Sequence, residues 1–238
     1  MALSWTMDKI GPICRSVEDC AVVFDAIAGP DGIDATVEAE PFSYSPIDDP
    51  KKVRVGYVRA LFEEDYPERA SDSTTLDVLR GLGFELEPID LPDYPVYPLS
   101  IILVAEAAAA FDELTRSNSD SLLVRQIRAA WPNVFRESRF IPAVEYIQAN
   151  RIRTLLMEEM QRLEVDVYVA PSFGGDNLLL TNLTGHPCVV LPNGFSEDGT
   201  PVSISFMGQL NGEGVLLGVA NSYQNATVFH KRHPQHFE

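Results

Sequence analysis

Between residues 181 and 194 the chain reads Thr-Asn-Leu-Thr-Gly-His-Pro-Cys-Val-Val-Leu-Pro-Asn-Gly, and this run constrains the fold more than any other. Asn182, Thr184 and Gly185 favour a turn, and Pro187 has no N–H to give a sheet. Residues 188–191 are apolar and partly β-branched, which suits a covered strand, and Pro192-Asn193-Gly194 stops them. The pattern predicts loop, buried strand, loop, with that strand near the centre of a sheet.

Alternation and helical spacing elsewhere supply the remaining layers. Ser16 fits a helix N-cap, with Val17, Ala21, Phe24 and Ala28 at helical spacing and Gly29-Pro30 as the stop. Residues 31–50 form a long acidic loop with Pro41, Pro46 and Pro50. Strands are expected at 52–58, at 84–89 with Pro88 near an edge or strand end, at 165–170, and as a half-buried strand at 202–206. A short helix is expected to finish over 76–82 before Gly83. Further helices are expected over 99–115, over 122–131 with Pro132 as its breaker, over 143–163 behind Pro142, and over 213–223. Strands interleaved with helices in this order predict an α/β fold, a mixed sheet flanked by helices. No repeat or linker interrupts the chain, so residues 1–238 are expected to form a single domain.

The net charge of −17 repels phosphate, which argues against nucleic acid or an anionic membrane surface as partner. No apolar run reaches the roughly 20 residues a spanning helix needs. Cys14, Cys20 and Cys188 show no metal-ligand spacing; they are expected to be reduced core thiols of a cytoplasmic protein. His230, His233 and His236 are spaced three apart, but Pro234 breaks a shared helical face, so no metal site is expected.

Several segments, in order, resemble the amidase signature family. They are Met7-Asp8-Lys9-Ile10-Gly11-Pro12 with Arg15 and Glu18-Asp19, the Val53-Arg54-Val55-Gly56-Tyr57 strand, Leu82-Gly83-Phe84, and Val165-Asp166-Val167 leading to Ala170-Pro171. The run from Thr181 to Pro187 and Gly199-Thr200-Pro201-Val202-Ser203 complete the set. The resemblance implies the C-terminal part of the amidase signature fold and, for a whole enzyme, amide hydrolysis by a Ser–Ser–Lys arrangement without a cofactor. In the family the lysine, the bridging serine and the nucleophilic serine precede the segment that residues 8–19 resemble. The chain is therefore expected to begin after them, to carry no catalytic residue and to be inactive alone. A serine attacks an amide only with a base for its proton and donors for the oxyanion. None of the four lysines, Lys9, Lys51, Lys52 and Lys231, sits in a motif like the family's base.

What the resemblance leaves for this chain is a pocket wall. In the family the loop before the Asn-Leu-x-Gly-x-Pro turn lines the substrate site, which makes Asp176, Asn177, Thr181 and Asn182 the substrate-binding candidates. Asp176 and Asn177 equally suit a capping or turn role, and Asn182 and Gly185 suit turn geometry. A small amide would then be a substrate only once an N-terminal half completes the site. Two alternatives stand beside this one. One is a non-catalytic binding protein that covers its open surface by forming a homodimer; the other is a subunit of a tRNA-dependent amidotransferase.

Overall fold

The computed structural model of the chain describes residues 2–34, 37 and 40–234. The residues fall into two compact units, each assembled from separated stretches of sequence. One comprises the described residues of Met1–Lys9, Pro92–Arg162 and Asn182–Gly185; the other comprises those of Ile10–Leu91, Leu163–Thr181 and His186–Glu238.

The larger unit is built on a five-stranded mixed sheet of order β2-β1-β3-β5-β4. Its strands are β1 (Val55–Val58), β2 (Leu86–Ile89), β3 (Val167–Pro171), β4 (Cys188–Phe195) and β5 (Pro201–Gly208). β1 pairs in parallel with both β2 and β3, whereas β5 runs antiparallel to both β3 and β4. Every residue of β3 is buried, which explains its unbroken apolar sequence. Pro88 lies on β2 at one edge of the sheet, where a missing N–H costs no ladder bond.

β4 occupies the other edge, not the centre that its apolar run predicts. Along it Cys188 and Val190 are exposed and Leu191 is buried, so only one face is covered. β5, expected to be half-buried, is instead covered throughout its C-terminal half, Ile204, Phe206 and Met207 being wholly buried between two neighbouring strands. The cysteines do not form the core that their residue type suggests: Cys14 and Cys188 are exposed and Cys20 is half-buried.

The helices of this unit are α1 (Val17–Ile27), α2 (Arg59–Glu63), α3 (Arg69–Gly81) and α9 (Glu213–Ala226). Ser16 caps α1, its hydroxyl accepting from the Asp19 N–H at 3.1 Å. Gly83, at φ +94°, closes the chain after α3 in a conformation L side chains rarely adopt. Val17, Ala21, Leu76, Leu79, Leu216 and Tyr223 from these helices meet Val167, Val169, Ile204 and Phe206 of the sheet in one core. α9 packs so closely that a Cβ on Gly218 would lie 2.7 Å from Ile47 Cδ1.

The smaller unit is helical: α4 (Ile101–Ala110), α5 (Asp112–Arg116), α6 (Trp131–Ser138) and α7 (Ala143–Met160). The expected 99–115 helix is thus two, broken at Phe111, whose ring stacks on Phe135 at 4.9 Å. Residues 123–130 are not helical, and Pro132 starts α6 instead of ending a helix before it. At a helix N-terminus the N–H that proline lacks is an orphan in any residue, so the same proline that breaks an interior favours a start.

The last helix, α8 (Asn177–Thr184), crosses from one unit's residues to the other's. It replaces most of the polar turn expected there. Leu180, Leu183 and Thr184 are all buried and lie three and four apart, so helical burial overrides the turn preference of Asn182. Gly185, at φ +83°, then ends it. The histidine triplet is only partly described: His230 and His233 lie in the C-terminal segment, and His236 lies outside the described residues.

Candidate functional site

A cavity of about 910 Å³ opens in the larger unit at the carboxyl ends of the parallel strands β1 and β3. Ligands of open α/β sheets bind at this end, where the chain leaves each strand into a loop or helix. β1 passes directly into α2, which contributes Leu61; β3 ends at Pro171 and turns through Ser172, Phe173 and Gly174. Because β5 runs back against β3, with Pro171 opposite Ile204, the β4–β5 hairpin brings its loop residues 196–200 to the same end. The start of α3, with Glu68, Ser71 and Asp72, closes the wall.

Two kinds of polar group face this space. Ser172 and Ser203 line it, and the hydroxyls of Ser203 and of buried Ser205 behind it, two apart on β5 and so on one face, both donate to Ser172 Oγ at 3.0 Å. Accepting twice leaves the Ser172 proton directed elsewhere. Among the described residues no lysine, arginine or histidine lines the cavity, and no hydrogen bond joins these serines to a base. Two hydroxyls thus converge on a third, whose oxygen accepts from both.

The second group is Asp72, only 2% exposed. Asn193 Nδ2 donates to its Oδ1 at 2.6 Å and the Tyr66 hydroxyl donates to its Oδ2 at 3.1 Å. Burial pushes the Asp72 carboxyl above the usual range, outweighing those two bonds, and nearby Glu68 adds to the rise. Burial likewise pushes the Tyr66 phenol up, reinforced by the negative charge of Asp72.

The sequence-based candidates sit around this cavity more than in it. Asp176 is exposed at the end of the turn that follows β3. Asn177 is buried, its Oδ1 accepting from the Tyr168 hydroxyl at 3.0 Å and its Nδ2 facing Met207 Sδ at 3.6 Å. Thr181 is buried and its hydroxyl donates to the Leu178 carbonyl at 3.1 Å; Asn182 is half-buried in the last turns of α8. None of the four lines the cavity, whereas the same loop's Ser172, Phe173 and Gly174 do. Asp72, Ser203 and Ser205 escape sequence reasoning. One looks like an ordinary helix-start carboxylate, and the other two form the polar half of an alternating strand. No group of three or more His, Cys, Asp or Glu among the described residues is placed to hold a metal ion.

Comparison with known proteins gives this geometry a context. The Amidase family profile matches residues 1–180. A glutamyl-tRNA(Gln) amidotransferase subunit from Synechococcus sp. (strain JA-3-3Ab) is 30% identical over 98% of the chain and 55% of the relative. Its counterpart from Lysinibacillus sphaericus (strain C3-41) is 28% identical over 100% of the chain and 58% of the relative. The chain thus spans about half the length of the curated relatives it matches. Among solved structures, the corresponding glutamyl-tRNA(Gln) amidotransferase subunit from Thermotoga maritima superposes with a TM-score of 0.74 at 21% identity, over 94% of this chain and 54% of that one. A bacterial aryl acylamidase of the amidase signature enzymes reaches 0.77 at 17% identity, over 93% and 53%. These two similarities establish the shared fold. With the profile match over three quarters of its length, the chain belongs to the amidase signature family.

Proposed function

We propose that this chain provides the substrate-side wall of an amide-bond hydrolase of the Ser–Ser–Lys type, and that the reacting groups come from residues outside it, in the same polypeptide or in another. The observation that carries the proposal is the cavity at the carboxyl ends of β1 and β3, which has hydroxyls and carboxylates in its lining but, among the described residues, no lysine, arginine or histidine. The loop after β3 supplies part of the wall through Ser172, Phe173 and Gly174, and Asp176 ends that loop in an exposed position outside the lining. Asn177 and Thr181, both buried, hold the turn and α8 in position.

The test is ammonia release from simple carboxylic amides by the purified chain, alone and after addition of a family N-terminal portion that carries the lysine and serines. Turnover only on addition is the expected result. Turnover by the chain alone, surviving stringent purification, refutes the assignment. A second reading makes the chain one component of an amidotransferase, working in the cytoplasm with partner chains. It is favoured by the amidotransferase relatives that match across nearly the whole chain. It is distinguished by preference for glutamine over simple amides in the same assay.

A further inference from the structure

Cys14 and Cys20 are too far apart in sequence to meet on one helix, where neighbours lie three or four residues apart. The fold brings them together because only one of them is helical. Cys20 lies in the first turns of α1, whereas Cys14 precedes the N-cap Ser16, which is extended at φ −133° and ψ 157°. The chain before the cap folds back over the start of the helix. The Cys20 thiol donates to the Pro12 carbonyl at 3.9 Å. Its sulfur also shares a hydrogen bond with the Cys14 thiol and accepts from the Cys14 backbone N–H. Residues 12–14 thus wrap one sulfur, and a second sulfur is among the groups that touch it. Both thiols are free, Cys14 exposed and Cys20 half-buried.

The two partners are held very differently. Cys20 packs against the core of the larger unit. The start of α1 is fixed to α9, the Val17 N–H donating to Oε1 of buried Gln224 at 2.9 Å. Residues 10–14 lie in neither helix nor strand, and Ile10 and Ile13 project into solvent. A disulfide needs its sulfurs about 2.05 Å apart, closer than a hydrogen-bonded pair of thiols. The exposed segment can make that approach while Cys20 stays in place. Burial pushes the Cys20 thiol up, and the hydrogen bond with Cys14 adds to the rise. Since the thiolate is the nucleophile, the first attack falls to the exposed Cys14.

We propose that Cys14 and Cys20 are a redox-sensitive pair, closing to an intramolecular disulfide when the chain meets a small-molecule disulfide such as oxidised glutathione. The Cys14 thiolate attacks one glutathione sulfur, releasing one glutathione thiolate and leaving a mixed disulfide on Cys14. The Cys20 thiol gives its proton to solvent, attacks the Cys14 sulfur and releases the second glutathione. Two protein thiols are oxidised, and one glutathione disulfide is reduced to two glutathione thiols. The new bond closes a ring over residues 14–20 and latches residues 12–14 onto α1; excess thiol reopens it. Nothing in this step depends on the cavity or on amide chemistry.

The experiment equilibrates the full chain with mixtures of reduced and oxidised glutathione, quenches with acid, and weighs the tryptic peptides of the monomeric fraction. Trypsin cuts after Lys9, Arg15 and Lys51, so the two cysteines fall on separate peptides, 10–15 and 16–51. These peptides are expected to run as one linked species that dithiothreitol separates. The ratio of linked to reduced chain should be at least about tenfold higher in the folded chain than in concentrated urea at the same glutathione ratio, because the fold holds the thiols together. Cys20→Ser is expected to stop at the glutathione adduct on Cys14, and Cys14→Ser to leave Cys20 reduced. In the folded, oxidised chain, cleavage after Arg15 should slow at least about threefold, since the latch restrains the segment that must open to the protease. A lasting glutathione adduct on Cys14 of the unaltered chain, linkage only between two chains, a ratio no higher than in urea, or unchanged cleavage after Arg15 overturns the inference.

Discussion

Glu106 offers the sharpest test of how the smaller unit is held together. It sits on α4, 5% exposed, and its carboxylate accepts four hydrogen bonds. Ser4 Oγ donates at 2.5 Å, the Thr6 N–H at 3.1 Å, Thr6 Oγ1 at 2.7 Å and the Tyr146 hydroxyl at 2.9 Å. The N-terminal segment is thereby fixed to α4 and α7. Arg153 adds to the clamp, donating to the Thr6 carbonyl at 2.5 Å and to Thr6 Oγ1 at 2.6 Å. A hydrogen bond to a charged acceptor contributes about 1.5–3 kcal/mol, but bonds sharing one carboxylate do not add. Glu106→Ala removes the acceptor and strands its buried donors, for an expected loss of about 3–5 kcal/mol. Glu106→Gln keeps one acceptor oxygen but turns an NH₂ toward the donors, and should lose about 2 kcal/mol. Both tryptophans, Trp5 and Trp131, belong to this unit, so urea unfolding followed by intrinsic fluorescence reports it directly.

The pH dependence gives a second reading of the same group. Burial pushes the Glu106 carboxyl up, but the bonds from Ser4, Thr6 and Tyr146 outweigh it and hold it below the usual range. With the folded pKa depressed, the contribution is fully present above the unfolded value of about 4.3 and is lost as the pH falls through the folded value. Glu106→Gln should therefore lose an acid limb that the unaltered chain shows below about pH 4.3. A loss under about 1 kcal/mol in Glu106→Ala, or an unchanged acid limb in Glu106→Gln, would refute the reasoning.

Three other perturbations follow from the same physical chemistry. The Asp72 carboxyl is raised in the fold, so its burial penalty is complete above the folded value and is relieved as the pH falls through that value toward the unfolded one of about 3.9. Asp72→Asn should abolish that gain, which thermal melts across the acid range would detect. Asp120 is fully buried and meets the Arg136 guanidinium at 2.5 Å, so Arg136→Ala should cost about 3 kcal/mol in urea unfolding, by leaving a buried charge unpaired. Gly214→Ala would put a Cβ inside the van der Waals shell of the Ser43 carbonyl oxygen; a loss of about 1–3 kcal/mol and faster proteolysis of residues 42–47 are expected.

Much of the local structure is legible before any coordinates. Ser16 caps α1, Gly83 closes the turn after α3 and Pro142 opens α7, because each acts on backbone conformation within a few residues of itself. The order of strands and helices likewise gives the α/β class, and the family motifs give the kinship. What only the tertiary structure decides is which surface each element hides. The apolar run at Cys188 is an edge and β5 is an interior strand, since a short apolar run reads the same in either place until its neighbours are known. Leu180 and Leu183 wind a would-be turn into α8, because burial of their side chains outweighs a weak local preference. The cavity is the clearest case. Asp72 and Ser172 stand far apart in sequence, and only the parallel pairing of β1 with β3 brings the ends of those strands together. Local propensity cannot encode such a meeting, which depends on the long-range register of the sheet.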